Sequence, residues 1–187
     1  LTLRYADHDR YLELSRVVTG EVMAQTFAEW RRTRSATRGG LIWFLRDLWA
    51  GAGWGVLDET GAPKAAWHFL RRALAPVALS ISDEGVNGLR LHLANDRATS
   101  ITGTLRVSLF RAGEIPVGSA SARIDAPGHS TQELSIDAML EGFRDLSHAY
   151  RFGAPAQDLV VATLEDADAT VLARTMFLLG GPPAGRE

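Results

Sequence analysis

The chain is written in two hydrophobic grammars, and the change falls near Pro76. From Asp7 to Arg34 apolar residues recur at helical steps. Leu14, Val18, Val22, Phe27 and Trp30 leave one broad apolar stripe. Asp7 and Asp9 open this segment and Arg31, Arg32 and Arg34 close it, which is the order the helix dipole favours. Gly20 lowers helix propensity by roughly 1 kcal/mol relative to alanine, so the pattern predicts a weak point, with room for a break, in mid-helix. After Gly39-Gly40 the run Leu41-Ile42-Trp43-Phe44-Leu45 is continuously apolar. Such a run predicts a short strand buried on both faces, as in a parallel sheet. A glycine-rich loop, Ala50 to Gly55, comes next. A second helix is expected from about Pro63 to Leu74, with proline in its first turn and Arg71-Arg72 near its end. Helix, buried strand, loop and helix together make the repeat unit of a (β/α) barrel.

From Val77 onward the period is two. Leu89, Leu91 and Leu93 alternate with Arg90, His92 and Ala94, and Leu105, Val107 and Leu109 with Arg106, Ser108 and Phe110. Further runs at 134–136, 159–164 and 170–179 continue the pattern. Turn signals separate them at Asn87-Gly88, Asn95-Asp96, Ala112-Gly113 and Pro127-Gly128. About seven short strands over roughly 110 residues predict a β-sandwich of immunoglobulin type. The stretch Ile136 to Phe143 reads as one helical turn between strands, and residues 180–187 as a disordered tail. The expected organisation is an α/β piece over 1–76, the last helix-strand-helix of a (β/α)8 barrel. An all-β immunoglobulin-like sandwich over 77–187 follows it.

Composition narrows the chemistry. All five tryptophans (Trp30, Trp43, Trp49, Trp54, Trp67) precede residue 70, so the aromatic surface chemistry is concentrated in the first unit. With 46% hydrophobic and 22% charged residues and a net charge of −2, the chain has no basic footprint for nucleic acid, and no nucleic-acid partner is expected. No apolar run approaches the roughly 20 residues of a membrane helix, so no membrane partner is expected either. Cysteine is absent, which removes disulfides and thiolate metal sites. The five histidines are scattered without helical pairing, so no zinc site is expected. Lys64 is the single lysine against nineteen arginines, read as codon bias. The opening Leu-Thr-Leu-Arg-Tyr reads as the interior of a longer protein, which leaves the compartment unreadable.

Candidate chemistry lies between Gly39 and Val77. Active-site groups of barrels sit at the C-terminal ends of strands and in the loops beyond them. Trp43, Arg46, Asp47, Trp49 and Trp54 fall in that zone. The flat face of tryptophan matches the C–H side of a pyranose while its N–H still donates, and an arginine and an aspartate alongside suit sugar hydroxyls. The bland alternatives are a tryptophan packed in core, an Arg46–Asp47 loop ion pair, and Asp58 as a turn residue. The glycines of Gly51-Ala-Gly53-Trp-Gly55 imitate a dinucleotide loop. That loop needs a helix opening directly on the glycines, whereas Val56-Leu57-Asp58 reads as extended. A paired-carboxylate site built from Asp47 and Asp58 would need an enclosed barrel that this chain alone does not encode.

The same stretch resembles the last strand, loop and helix of the barrel in glycoside hydrolase family 2, and within it the β-mannosidases. The residues that carry the resemblance are Gly40, Trp43, Leu45, Asp47, Trp49, Trp54, Asp58, Gly61, Lys64, Ala65, Arg72, Ala75, Pro76 and Val77. Glu29-Trp30-Arg31-Arg32 is similar to the end of the preceding barrel helix, and Leu89 to Asp96 to the start of the following sandwich. Arg46 and Ala50 depart from the pattern, where asparagine and proline are usual.

The resemblance implies a retaining exo-glycosidase acting on terminal β-D-mannosides through two glutamates, without metal or cofactor. Such carboxyl groups stand about 5 Å apart. No glutamate here has the family's sequence context, so both catalytic residues are expected upstream of Leu1 and none within the chain. Trp43 would be the platform beneath the sugar, with Asp47, Trp49 and Trp54 as surrounding substrate-binding or supporting residues. The implied partner is a β-mannoside or related oligosaccharide. The rest of the barrel, or a second chain, would cover the open edge. An exo-β-glucosaminidase-like hydrolase is the alternative; the Asp58, Gly61 and Lys64 spacing favours a mannosidase. The sandwich, free of tryptophan, is expected to be a spacer rather than a sugar-binding module.

Overall fold

The computed structural model describes residues 2–37 and 39–180. The chain divides into two units, Leu1–Ala75 and Pro76–Glu187, each with its own core.

The first unit begins with a short helix α1 (Thr2–Ala6) and a long helix α2 (His8–Arg31). Asp7 is extended and its carboxylate accepts the Arg10 N–H at 2.9 Å, so the carboxylate satisfies an N-terminal donor and opposes the positive end of the helix dipole. Helix α3 (Ala65–Ala73) packs against α2. The Arg31 guanidinium donates to the Ala73 and Ala75 carbonyls, where the end of α3 leaves acceptors without helical partners. The core is small: Val56, Ala66 and Leu70, with Met23, Phe27, Ile42 and Trp67 packed around them.

Three sequence expectations are corrected by the fold. Gly20 does not break α2. It is the buried point at which the Phe69 ring lies so close that a Cβ would collide with it. The missing side chain is therefore used for helix-to-helix approach. The predicted strand at Leu41–Leu45 is also absent, so helix-strand-helix is replaced by helix-loop-helix. Leu41 is 99% exposed, and the ladder in this region is reduced to single bridges of Leu57 with Arg46 and with Pro63. A strand buried on both faces requires neighbours on both edges. Among the described residues its ladder partner is the short return segment at 56–57, joined by N–H···O bonds from Val56 to Phe44 and from Leu57 to Leu45. Val18 and Val22, expected within the apolar stripe, are exposed because α3 covers only the face carrying Gly20, Met23 and Phe27.

The second unit is a seven-stranded sandwich of immunoglobulin type, as the period of two predicts. Its strands are β1 (Val77–Asp83), β2 (Leu89–Asn95), β3 (Ile101–Arg111), β4 (Ile115–Ala126), β5 (Ser130–Ser135), β6 (Leu159–Glu165) and β7 (Val171–Leu178). One sheet has the order β1-β2-β5 and the other β4-β3-β6-β7, with every pairing antiparallel. Leu89, Leu91 and Leu93 face Leu105, Val107, Leu109, Val160, Ala162 and Leu164 across one apolar core. Asn95 is fully buried and joins three segments. Its amide donates to the Thr99, Ala126 and Pro127 carbonyls at 2.9–3.1 Å, and its oxygen accepts the Arg97 N–H.

The predicted helical turn is α4 (Ile136–Met139), capped by the Ser135 hydroxyl. The tail expected at 180–187 lies, from residue 181 on, outside the described residues. Among the described residues no helix is long and apolar enough to cross a membrane.

Candidate functional site

The loop between Gly40 and α3 is organised by one carboxylate. Asp47 is 4% exposed, although it lies in a stretch whose other side chains mostly face solvent. Its Oδ1 accepts the Gly55 N–H at 2.7 Å, its Oδ2 pairs with the Lys64 ammonium, and its own N–H donates to the Leu57 carbonyl at 3.1 Å. Lys64 Nζ reaches further, to the Gly53 carbonyl at 3.1 Å. One lysine and one aspartate thus tie both strands of the glycine-rich loop together. A Cβ at Gly53 would strike the Asp47 carboxylate, and one at Gly55 would lie 2.6 Å from the Asp47 nitrogen, so the loop closes on the carboxylate only because these positions carry no side chain.

The hydrogen bond from Lys64 is the main cause of a lowered Asp47 pKa. The Gly55 N–H and the lysine charge add to it, and burial opposes it. Asp58 is also held below its ordinary range, chiefly by the Thr60 hydroxyl and then by the Ala62 N–H, in a turn that Gly61 closes by donating to the Asp58 carbonyl. A general acid at neutral pH needs a raised pKa. Neither carboxylate is built for that, and both are spent on backbone geometry. Arg46 does not pair with Asp47, as an adjacent ion pair would require. Its guanidinium donates to the Glu59 carbonyl in the Asp58 turn.

Around this clamp the tryptophans stand outward. Trp43, Trp49 and Trp54 are 77%, 74% and 75% exposed, which excludes a core role for them within this chain. Trp43 meets Phe44 edge-to-face at 6.1 Å, and the peptide bond between them is cis. Trp30 and Trp67 are the packed ones: Trp30 stands edge-to-face on Phe27, and Trp67 packs on the small core. The arrangement presents three indole faces and Leu41, Leu45 and Leu48 on a loop whose backbone is fixed from beneath by Asp47 and Lys64. It can stack on an apolar or C–H-bearing surface, and neither of its two aspartates has the raised pKa of a general acid.

Lys64, Gly53 and Gly55 are named from the sequence, but their role in holding Asp47 was missed. Their signal was present: a single lysine, and glycines spaced two apart facing an aspartate. Among the described residues no group of three or more histidine, aspartate or glutamate side chains could hold a metal ion.

No family model matches the chain. Over 81 residues, 42% of its length, it is 35% identical to β-mannosidase B of Aspergillus niger, of which it covers 10%. Its fold is similar to that of a β-D-mannosidase from Dictyoglomus thermophilum, with a TM-score of 0.68 and 21% identity over 92% of this chain and 20% of that one. It is similar also to the exo-chitosanase of Amycolatopsis orientalis, with a TM-score of 0.67 and 13% identity over 90% of this chain and 19% of that one. The chain therefore spans about a tenth of the length of the curated relative and a fifth of each solved neighbour.

Proposed function

We propose, from the premise that this is a β-mannosidase-like chain of glycoside hydrolase family 2, that it forms the closing part of a retaining exo-glycosidase acting on terminal β-D-mannosides. The observation that carries this reading is the exposed trio Trp43, Trp49 and Trp54 on a loop clamped by Asp47 and Lys64. It lies in a chain with 35% identity over 81 residues to a protein named as a β-mannosidase.

In this reading Trp43 is the stacking platform, Trp49 and Trp54 border it, and Asp47 acts through the loop rather than on the sugar. The acid/base and nucleophilic glutamates come from polypeptide outside this chain. The segment 40–64 is the last barrel strand and loop, and it becomes a paired strand only when a neighbouring strand supplies the second edge. The open apolar surface at Leu41, Leu45 and Leu48 supports that closure, since such a surface calls for a cover.

Assay of the full-length protein that carries this chain tests the reading. It should hydrolyse an aryl β-D-mannopyranoside in preference to the β-D-glucosaminide, with β-mannose as the first product by NMR. Trp43→Ala should lower kcat/KM by about tenfold or more, the loss expected when an aromatic face is removed. The 187-residue chain alone should show no turnover; turnover abolished by Asp47→Ala would overturn the proposal. An exo-β-glucosaminidase is the second reading, since the exo-chitosanase shares the fold equally well. A preference for the amino sugar would select it.

A further inference from the structure

One end of the sandwich carries aromatic surface that the tryptophan count does not reveal. The segment between α4 and β6 folds back on the turn between β1 and β2. Phe143, Tyr150 and Phe152 are 73%, 43% and 80% exposed there, yet they touch one another. Phe143 meets Tyr150 edge-to-face at 5.4 Å, and Tyr150 stacks on Phe152 at 5.9 Å.

This group is held from several sides. The Asp145 carboxylate accepts the Ala149 and Tyr150 N–H groups at 2.8 and 3.0 Å. The Tyr150 hydroxyl donates to the Val86 carbonyl and the Ser147 hydroxyl to the Gly85 carbonyl. Leu146 is buried in the core beneath, and the buried Gln157 amide donates to the Asp145 carbonyl. Beside the rings opens a cleft of about 420 Å³, lined by Phe143, Tyr150, Arg90, Arg144, Asp137 and Asp145. That volume is within the roughly 300–1,000 Å³ of small-ligand sites.

We propose that this cleft is a saccharide-binding site for a short neutral oligosaccharide. Three features of the lining select that class. The exposed ring faces fit the C–H side of a pyranose. Two arginines stand with two aspartates, so the site carries no net charge to favour an anion or a cation. The lining is half polar, which suits a polyhydroxylated ligand and penalises an apolar peptide whose entry would strand those groups. The Asp145 bonds to the backbone at 149–150 and the bond from the Tyr150 hydroxyl to Val86 hold Tyr150 in place before the ligand arrives, which lowers the ordering cost of binding. The inference does not rest on the tryptophan loop and stands or falls separately from it.

Titration of the 187-residue chain with β-1,4-linked mannotetraose, followed by calorimetry and NMR, tests the proposal. Phe143→Ala with Phe152→Ala should weaken binding by about tenfold. Both side chains are exposed, so circular dichroism should show an unchanged fold. Trp43→Ala with Trp54→Ala should leave this binding in place. Four results would overturn the assignment: no saturable signal at roughly 10 mM sugar; binding lost only in the tryptophan variant; a response to oligogalacturonate but not to the neutral sugar; or self-association of the chain that the phenylalanine variant removes while sugar has no effect.

Discussion

Asp47 was legible as a chemically interesting residue, but its partner was not. Sequence adjacency suggested Arg46; the fold instead brings Lys64 across the loop. Because Lys64 is the only lysine, amine-reactive labelling read by mass spectrometry reports on it alone, apart from the N-terminus. Its ammonium is engaged by Asp47 and the Gly53 carbonyl, so labelling should be slow, and Asp47→Asn should speed it by about an order of magnitude by removing the charged acceptor. An unchanged rate would mean that the clamp does not persist in solution. The same pair predicts an acid response. Asp47 has a folded pKa below its ordinary value of 3.8, so its contribution is complete above that value and is lost as pH falls through the folded pKa. The Asp47–Lys64 contact, followed by NMR of the Lys64 side chain, should thus be level from neutral pH through the ordinary carboxylate range and be lost only below it. In Asp47→Asn the Lys64 signal should lack that acid step.

The helices and strands show what periodicity can and cannot convey. The apolar stripe of α2 was visible, but which part of it would be covered depended on α3. Gly20 illustrates the point: by propensity it is a defect, and by packing it is the seat for Phe69. Gly20→Ala should therefore destabilise the first unit by about 1–3 kcal/mol despite alanine's better helix propensity, because the Phe69 ring must shift. Urea denaturation followed by tryptophan fluorescence measures this, and a stabilised variant would show that the helices separate easily at this point. The Leu41–Leu45 run reads as a buried strand because its composition matches one. A strand is completed by its neighbours, and among the described residues no segment supplies the second edge. In the sandwich each inward leucine has a facing sheet within the same unit, so the alternation predicted the elements directly.

At the scale of the molecule the two units rest on unequal cores. Among the described residues the core of the first gathers Val56, Ala66 and Leu70, whereas that of the second gathers seventeen apolar residues. All five tryptophans lie in the first unit, while the strands lie in the second. Tryptophan fluorescence and the far-ultraviolet β signal should consequently report separate unfolding transitions, the fluorescence change coming at lower denaturant. Leu91→Ala should move only the β transition, by about 2–5 kcal/mol. Coincident transitions would show that the units unfold as one.

Local order in the chain was enough to determine the period-two sandwich, the change of grammar near Pro76, the concentration of tryptophan in the first unit and the motif that marks its relatives. These depend on neighbours within a few residues, or on counts. Tertiary structure alone decided that Lys64 rather than Arg46 neutralises Asp47, that Gly20 joins two helices, that Trp43, Trp49 and Trp54 face outward, and that Phe143 and Tyr150 line one cleft with Phe152 stacked behind Tyr150. Each of these depends on which distant segment arrives to cover, pair with or abut a residue, and neither composition nor periodicity encodes that meeting.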